Sequence, residues 1–185
     1  MRAIDTKSEG VRLVVAHTWD GEPLEPSQQT EVVLRPTDNG LQIRVDAPYH
    51  NDPPPPGPPE PTDGLWNYEV VEIFIAGPGE PVPYTEIELS PHGHYLVLKF
   101  LGIRQRAESL LPLDFEATID GDHWSGEALV PWSHLPPAPL RGNAYAIHGT
   151  GESRSYLAMT PVPGQKPDFH QPAVFRPLDL ERLAP

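Results

Sequence analysis

Apolar and β-branched residues recur along the chain in short runs separated by turn residues, a spacing that suits an antiparallel sandwich rather than alternating strands and helices. About ten strands are predicted, over residues 11–17, 30–35, 40–47, 66–75, 83–90, 94–101, 113–119, 122–130, 143–149 and 155–160. Three links carry explicit turn chemistry: Asn39-Gly40 and Asp120-Gly121 are hairpin dipeptides, and Pro91-His92-Gly93 is a tight connection. Helix is expected only as single turns at Pro131–Leu135 and Leu178–Leu183, where proline sits at the start. No internal repeat is present. The fold class is therefore all-β, an antiparallel, jelly-roll-like β-sandwich with very little helix.

The alternation inside two of these strands points to a site. In 66–75, Trp66, Tyr68, Val70, Glu72 and Phe74 share one face, while Asn67, Glu69, Val71, Ile73 and Ile75 share the other. Both faces are largely apolar, so the strand is expected to be central. A carboxylate there is costly to bury unless it is paired or hydrogen-bonded, which singles out Glu72. In 83–90, Tyr84, Glu86, Glu88 and Ser90 lie opposite Thr85, Ile87 and Leu89, so one face is expected to be wet. If the two strands are hairpin neighbours, Glu72 comes near Glu86 or Glu88, with Trp66, Tyr68 and Tyr84 on the same surface. Aromatic faces beside carboxylates suit a sugar, whose C–H face stacks on rings while its hydroxyls bond polar groups. The plainer reading leaves the glutamates as solvated charges and Trp66 as a core filler.

Composition narrows the alternatives. The 185 residues include 26 prolines and no cysteine, with 13 basic against 26 acidic side chains for a net charge of −13. One domain spanning 1–185 is the expectation at this length. Without cysteine there is no disulfide framework, thiolate nucleophile or Cys-type zinc site. The negative balance, unrelieved by any long Lys/Arg run, argues against nucleic acid and anionic membranes as partners. Residues 53–61, PPPPGPPEP, read as a stiff surface loop; as a PxxP ligand they lack the usual basic flank. The N-terminal MRAIDTKSEG has no signal-peptide apolar stretch, so a soluble, cytoplasmic protein is expected.

Other polar residues gather near turns. His50, Asn51 and Asp52 end a strand before the proline-rich loop, where either binding groups or turn chemistry would place them. His148, Arg154 and Tyr156 surround Gly149-Thr150-Gly151, too short for a dinucleotide fingerprint, and Arg154 is expected to pair with a carboxylate. Asp168 and His170 are placed to cap the cleft from the C-terminal side or simply to sit in a surface loop. His92 and His94, close in sequence to Glu86 and Glu88, offer a weak divalent-metal pattern against the default of exposed turn histidines. The reading assigns no cofactor and no metal.

The segments LWNYEVVEIFI and YTEIELSPHG resemble family 9 carbohydrate-binding modules and the related DOMON-like sandwiches, in which a tryptophan precedes an acidic strand residue by six positions before Tyr-x-Glu and a glycine turn. APYHNDPPPPG, ELSPHGHYLVL, YAIHGTGESRSY and PVPGQKPDFH extend a closer resemblance over most of the chain, to an uncharacterised family of bacteria and animals whose human member is known by its chromosome 4 open reading frame. The resemblance implies a sandwich. From the sugar-binding modules, in which two tryptophans flank the sugar, it carries over only Trp66 and Glu72; Trp132 is the weak candidate for the second tryptophan.

Three functions stay open. The leading one is a binder of a small molecule, saccharides among the candidates, using Trp66, Tyr68, Glu72, Glu86 and Glu88 with His50, Asn51, His148 and Arg154 around them. A small hydrolase would use Glu72 with Glu86 or Glu88 as acid and base, and a raised glutamate pKa inside a concave pocket would favour it. A protein-interaction module would show an apolar surface patch. Oligomeric state is left open.

Overall fold

A computed structural model describes residues 10–180. It contains thirteen strands: β1 (Val11–Val15), β2 (His17–Thr18), β3 (Thr30–Pro36), β4 (Gly40–Pro48), β5 (Val70–Ala76), β6 (Tyr84–Leu89), β7 (Tyr95–Phe100), β8 (Arg106–Glu108), β9 (Asp114–Asp120), β10 (His123–Pro131), β11 (Arg141–His148), β12 (Ser155–Ala158) and β13 (Arg176–Pro177). They form two antiparallel sheets, β1-β3-β4-β10-β9 and β2-β12-β11-β5-β6-β7-β8, with β13 added to β11. The all-β sandwich expected from the spacing is the observed fold. Each expected strand has a counterpart, and the count rises from about ten because β2, β8 and β13 are only two or three residues long. Such short pieces carry no readable alternation.

Prolines within strands occur as the last residue, at Pro36, Pro48, Pro131 and Pro177. A ring without an N–H ends pairing there instead of interrupting it. The Asp120-Gly121 hairpin closes with Asp120 opposite His123, and Gly121 takes φ +63. At Pro91-His92-Gly93 the Ser90 amide donates to the His94 carbonyl, and Gly93 takes φ +83. The expected turn at Pro131–Leu135 is a 3-10 turn over Trp132–His134. The one expected at Leu178–Leu183 is not helical as far as Asp179–Leu180, and its last three positions lie outside the described residues.

The two sheets enclose one core. Val32, Leu34, Ile43 and Val45 face it from one sheet, and Val71, Ile73, Ile75 and Ile87 from the other. Trp132 packs against this core, with its indole N–H donated to the Thr37 carbonyl, far from a role as a second sugar-flanking tryptophan.

Two expectations about the opposite face are corrected. It is not wet: Glu72, Glu86 and Glu88 are 2%, 4% and 0% exposed, within a second cluster that includes Phe74, Tyr84, Leu98, Phe100 and Tyr145. Loop residues Leu65, Val162, Phe169 and Phe175 cover it. Buried Asn143 fixes this cover, since its Oδ1 accepts from the Thr160 amide and its Nδ2 donates to the Thr160 carbonyl. The strand expected at 66–75 also begins only at Val70. Gly64, at φ +80, starts a 3-10 turn over Leu65–Asn67, so Trp66 and Tyr68 reach the site from a loop.

Candidate functional site

Strand pairing brings the three carboxyls together. Glu72 on β5 lies directly opposite Glu88 on β6, and Phe74 lies opposite Glu86. Residues two apart on a strand share a face, so all three glutamates project to the covered side, with ligand-type oxygens within 4.8 Å of one another. Like charges placed opposite one another are destabilising. Burial removes the water that would screen them, and it is the main reason that all three carboxyls hold their protons more tightly than usual. Glu86 is pushed from 4.5 to about 7, and Glu72 and Glu88 are also pushed well up, with the neighbouring carboxyls adding to burial in both. Among the described residues, neither Glu88 oxygen meets a donor from another side chain or the backbone, nor does Glu86 Oε2. A proton held by Glu88 and directed at Glu86 is the pairing open to them.

Above the glutamates lies a cavity of about 360 Å³. Glu72 and Glu86 reach its floor, Trp66, Phe74, Phe100 and Tyr156 contribute to its walls, and Arg104, Arg106, Asp168 and His170 are among its remaining lining. Two ion pairs tie its rim: Arg104 to Asp168 at 2.7 Å and Arg106 to Asp63 at 3.3 Å. The Arg106 guanidinium also lies 5.9 Å from the Trp66 ring centre. These pairs join separate covering segments, but both are solvent-exposed, and pairs of that kind contribute about 0–1 kcal/mol each.

A hydrogen-bonded chain leads from the rim to His170, beside Glu86. The Tyr84 hydroxyl accepts the Arg104 amide at 3.0 Å and lies 2.7 Å from His170 Nδ1. The hydroxyl, which accepts that amide, keeps a proton it can give to Nδ1; in that tautomer the hydrogen of a neutral His170 sits on Nε2, 3.8 Å from Glu86 Oε2. Burial, with Arg104 next in weight, lowers the His170 pKa to about 4, so the ring is neutral near pH 7 and the contact with Glu86 is not an ion pair.

Among the described residues Arg154 makes no ion pair with a carboxylate, contrary to expectation. Its guanidinium donates to the carbonyls of Trp66, Asn67, Tyr68 and Gly149, clamping the turn that carries Trp66, and it lies 5.7 Å from the Tyr156 ring centre. Tyr68 packs against the covered cluster without lining the cavity. His50 and His148 come together elsewhere, stacked at 3.5 Å and 3° between ring planes. Glu69 accepts the amides of His50 and Asp52, and Asp52 accepts that of Gly149. Burial first, then His50, lowers the His148 pKa to about 4. Asn51, at φ +58, is exposed and accepts the Tyr49 hydroxyl at 3.2 Å, which is turn chemistry.

The nine sequence candidates therefore divide. Trp66, Glu72, Glu86 and Glu88 share one site; Arg154 and Tyr68 support its wall; His50 and His148 form a separate pair, and Asn51 stands apart. Asp168 and His170 do cap the cleft. His94 Nδ1 instead lies 2.9 Å from the Thr62 hydroxyl, and neither His94 nor His92 joins the glutamate group. Arg104 and Arg106 went unread because an arginine beside a loop gives no periodic signal.

No family model matches the chain. It is 43% identical over 177 residues to "UPF0462 protein C4orf33 homolog" of Mus musculus, covering 91% of each. It is 40% identical over 177 residues to "UPF0462 protein C4orf33" of Homo sapiens, covering 91% of this chain and 88% of that one. Among solved structures, a "putative carbohydrate-binding protein" from Bacteroides uniformis ATCC 8492 superposes with a TM-score of 0.72 over 92% of this chain and 86% of that one, at 14% identity. At that identity the likeness shows the fold.

Proposed function

From the premise that the chain belongs to the UPF0462 (C4orf33) family, we propose that it binds a neutral polar small molecule of saccharide type in the cavity above Glu72 and Glu86. The observation that carries this reading is the cavity itself: about 360 Å³, aromatic at the wall and carboxylic at the floor. That volume lies at the small end of ordinary ligand pockets, which suits one or two sugar rings. Carboxyls that keep protons both donate to and accept from hydroxyls, so they suit an uncharged polyol better than an anion. Trp66 and Tyr156 offer aromatic surface for its C–H faces.

A second reading has a specific observation behind it. A glutamate whose pKa is about 7, inside a concave pocket and next to a neutral histidine, is poised to transfer protons. Against hydrolysis stands the placement: the three carboxyls sit side by side on one floor built by adjacent β5 and β6, whereas glycosidases set theirs so as to flank the scissile bond. Binding is therefore the preferred function.

Calorimetry against a panel of mono- and disaccharides tests it, with each mixture then analysed for hydrolysis products. The expected result is saturable binding of at least one saccharide, unaltered at the end, and lost in a folded Trp66→Ala variant. Absence of binding across the panel, or binding unchanged in Trp66→Ala, would overturn the reading; new products would move it to the enzymatic one.

A further inference from the structure

We propose that Glu72, Glu86 and Glu88 together hold one hard divalent cation of about calcium size at the cavity floor, with a coordination face open to the cavity. This goes beyond the saccharide reading and does not depend on it.

Their oxygens lie within 4.8 Å of one another. Three oxygens bound at about 2.3–2.6 Å from one calcium ion can lie up to about 4.0–4.5 Å from one another, so from a limit of 4.8 Å a small side-chain shift lets one ion touch all three carboxylates. Magnesium, at about 2.0–2.1 Å, would need the side chains drawn closer.

The second observation is independent of that spacing. Both Glu88 oxygens and Glu86 Oε2 are buried, and among the described residues no donor reaches them apart from a proton shared between these two carboxyls, although buried polar atoms ordinarily find one. The nearby cations are committed elsewhere: Arg104 to Asp168, Arg106 to Asp63, and Arg154 to four carbonyls. His170 has its Nδ1 2.7 Å from the Tyr84 hydroxyl, and its Nε2 stays 3.8 Å from Glu86 Oε2. What the orphaned oxygens lack is positive charge at their centre.

The donor set selects the ion. Three carboxylates without sulfur or imidazole suit calcium or manganese over zinc or copper. A calcium ion takes six to eight oxygens, and three carboxylates supply part of that number. Because Glu72 and Glu86 line the cavity, the remaining positions fall to water or to vicinal hydroxyls of a bound polyol.

The test uses the full chain, stripped with a chelator and dialysed into saccharide-free buffer at about physiological ionic strength, where weak surface binding by the acidic chain is screened. Calcium chloride and manganese chloride are titrated by calorimetry at pH 7.5, with magnesium and zinc chlorides in parallel. The expected result is one site per chain for calcium or manganese, a rise in Tm on binding, and affinity at least about 100-fold weaker in Glu88→Gln. Glu72→Gln is the second variant, so that misfolding of one leaves the other to decide. No stoichiometric binding of calcium or manganese, or binding untouched in both variants, would overturn the proposal; so would a clear preference for zinc. Since no saccharide is present, failure here leaves the saccharide reading standing, and the reverse holds equally.

Discussion

Glu86→Gln isolates the electrostatic cost of the buried floor. The substitution keeps size and hydrogen-bonding capacity and removes the charge. In the folded, metal-free chain Glu86 binds its proton up to about pH 7, whereas the unfolded chain releases it near 4.5. Between those values the native state holds more protons, so raising the pH destabilises the wild type relative to the variant. The gap, at about 1.36 kcal/mol per pH unit, amounts to about 3 kcal/mol. That penalty is absent below pH 4.5, grows as pH rises, and is complete above about pH 8. Glu72, whose own pKa is raised partly by Glu86, changes in the same direction and enlarges the effect. His148 and His170, both lowered to about 4, pull the other way at acid pH, but they are common to both proteins and cancel in the difference. Urea denaturation with chelator present, at pH 5 and pH 8.5, measures it. Since part of the penalty is already present at pH 5, the variant should gain stability over the wild type by about 2.5 kcal/mol more at pH 8.5 than at pH 5. A difference that does not change with pH, or that shrinks as pH rises, would refute the burial argument.

Further perturbations follow from the same geometry. Arg154→Met should cost about 1.5–3 kcal/mol in urea denaturation, because the carbonyls that the guanidinium holds at residues 66–68 and 149 lose a charged donor; intrinsic tryptophan fluorescence should report the loosened Trp66. Tyr84→Phe should cost about 1–3 kcal/mol and speed hydrogen exchange at the Arg104 amide, since His170 and that amide both lose their partner. Gly149→Ala should be the worse of two glycine substitutions in a thermal melt. At Gly149 the φ is +80 and the new Cβ would lie 2.4 Å from the Ser153 carbonyl oxygen; at Gly57 the φ is +91 but nothing stands within 4 Å. The second therefore carries only the conformational cost, about 1–2 kcal/mol.

What the sequence could convey about this site follows from its range of action. Period-two alternation acts between neighbours, and it placed Glu72 on a face with Phe74, and Glu86 and Glu88 on one with Tyr84. The hairpin between the two strands then made the cluster foreseeable. Burial was not foreseeable, because the cover comes from Leu65, Val162, Phe169 and Phe175, scattered through proline-interrupted segments that have no period to read. An alternation of glutamates therefore looked like a solvated face. The same limit applies to His50 and His148: each stood out at a turn, but their stacking depends on where the ends of β4 and β11 meet. Trp66 lines the cavity from a turn made by Gly64 and the Arg154 clamp, so the strand alternation that singles it out in the sequence does not extend to it.

The covered face also explains why the carboxyls can persist there. The core between the two sheets is supplied by the inward residues of both, so the outer cluster is a second layer whose composition is freer. In that layer Tyr145 stacks on Phe169 at 3.9 Å and Tyr84 on Phe100 at 4.6 Å, and such aromatic pairs contribute about 0.5–1.5 kcal/mol each beyond their burial. Two pairs on that scale are comparable with the penalty of about 3 kcal/mol calculated for Glu86 alone. Three raised carboxyls therefore exceed what these two pairs offset, and the remainder falls to the burial of the apolar side chains around them. Protons relieve part of that cost below neutrality; a bound cation or a polyol in the cavity would relieve it at and above neutrality, where the floor is otherwise least stable.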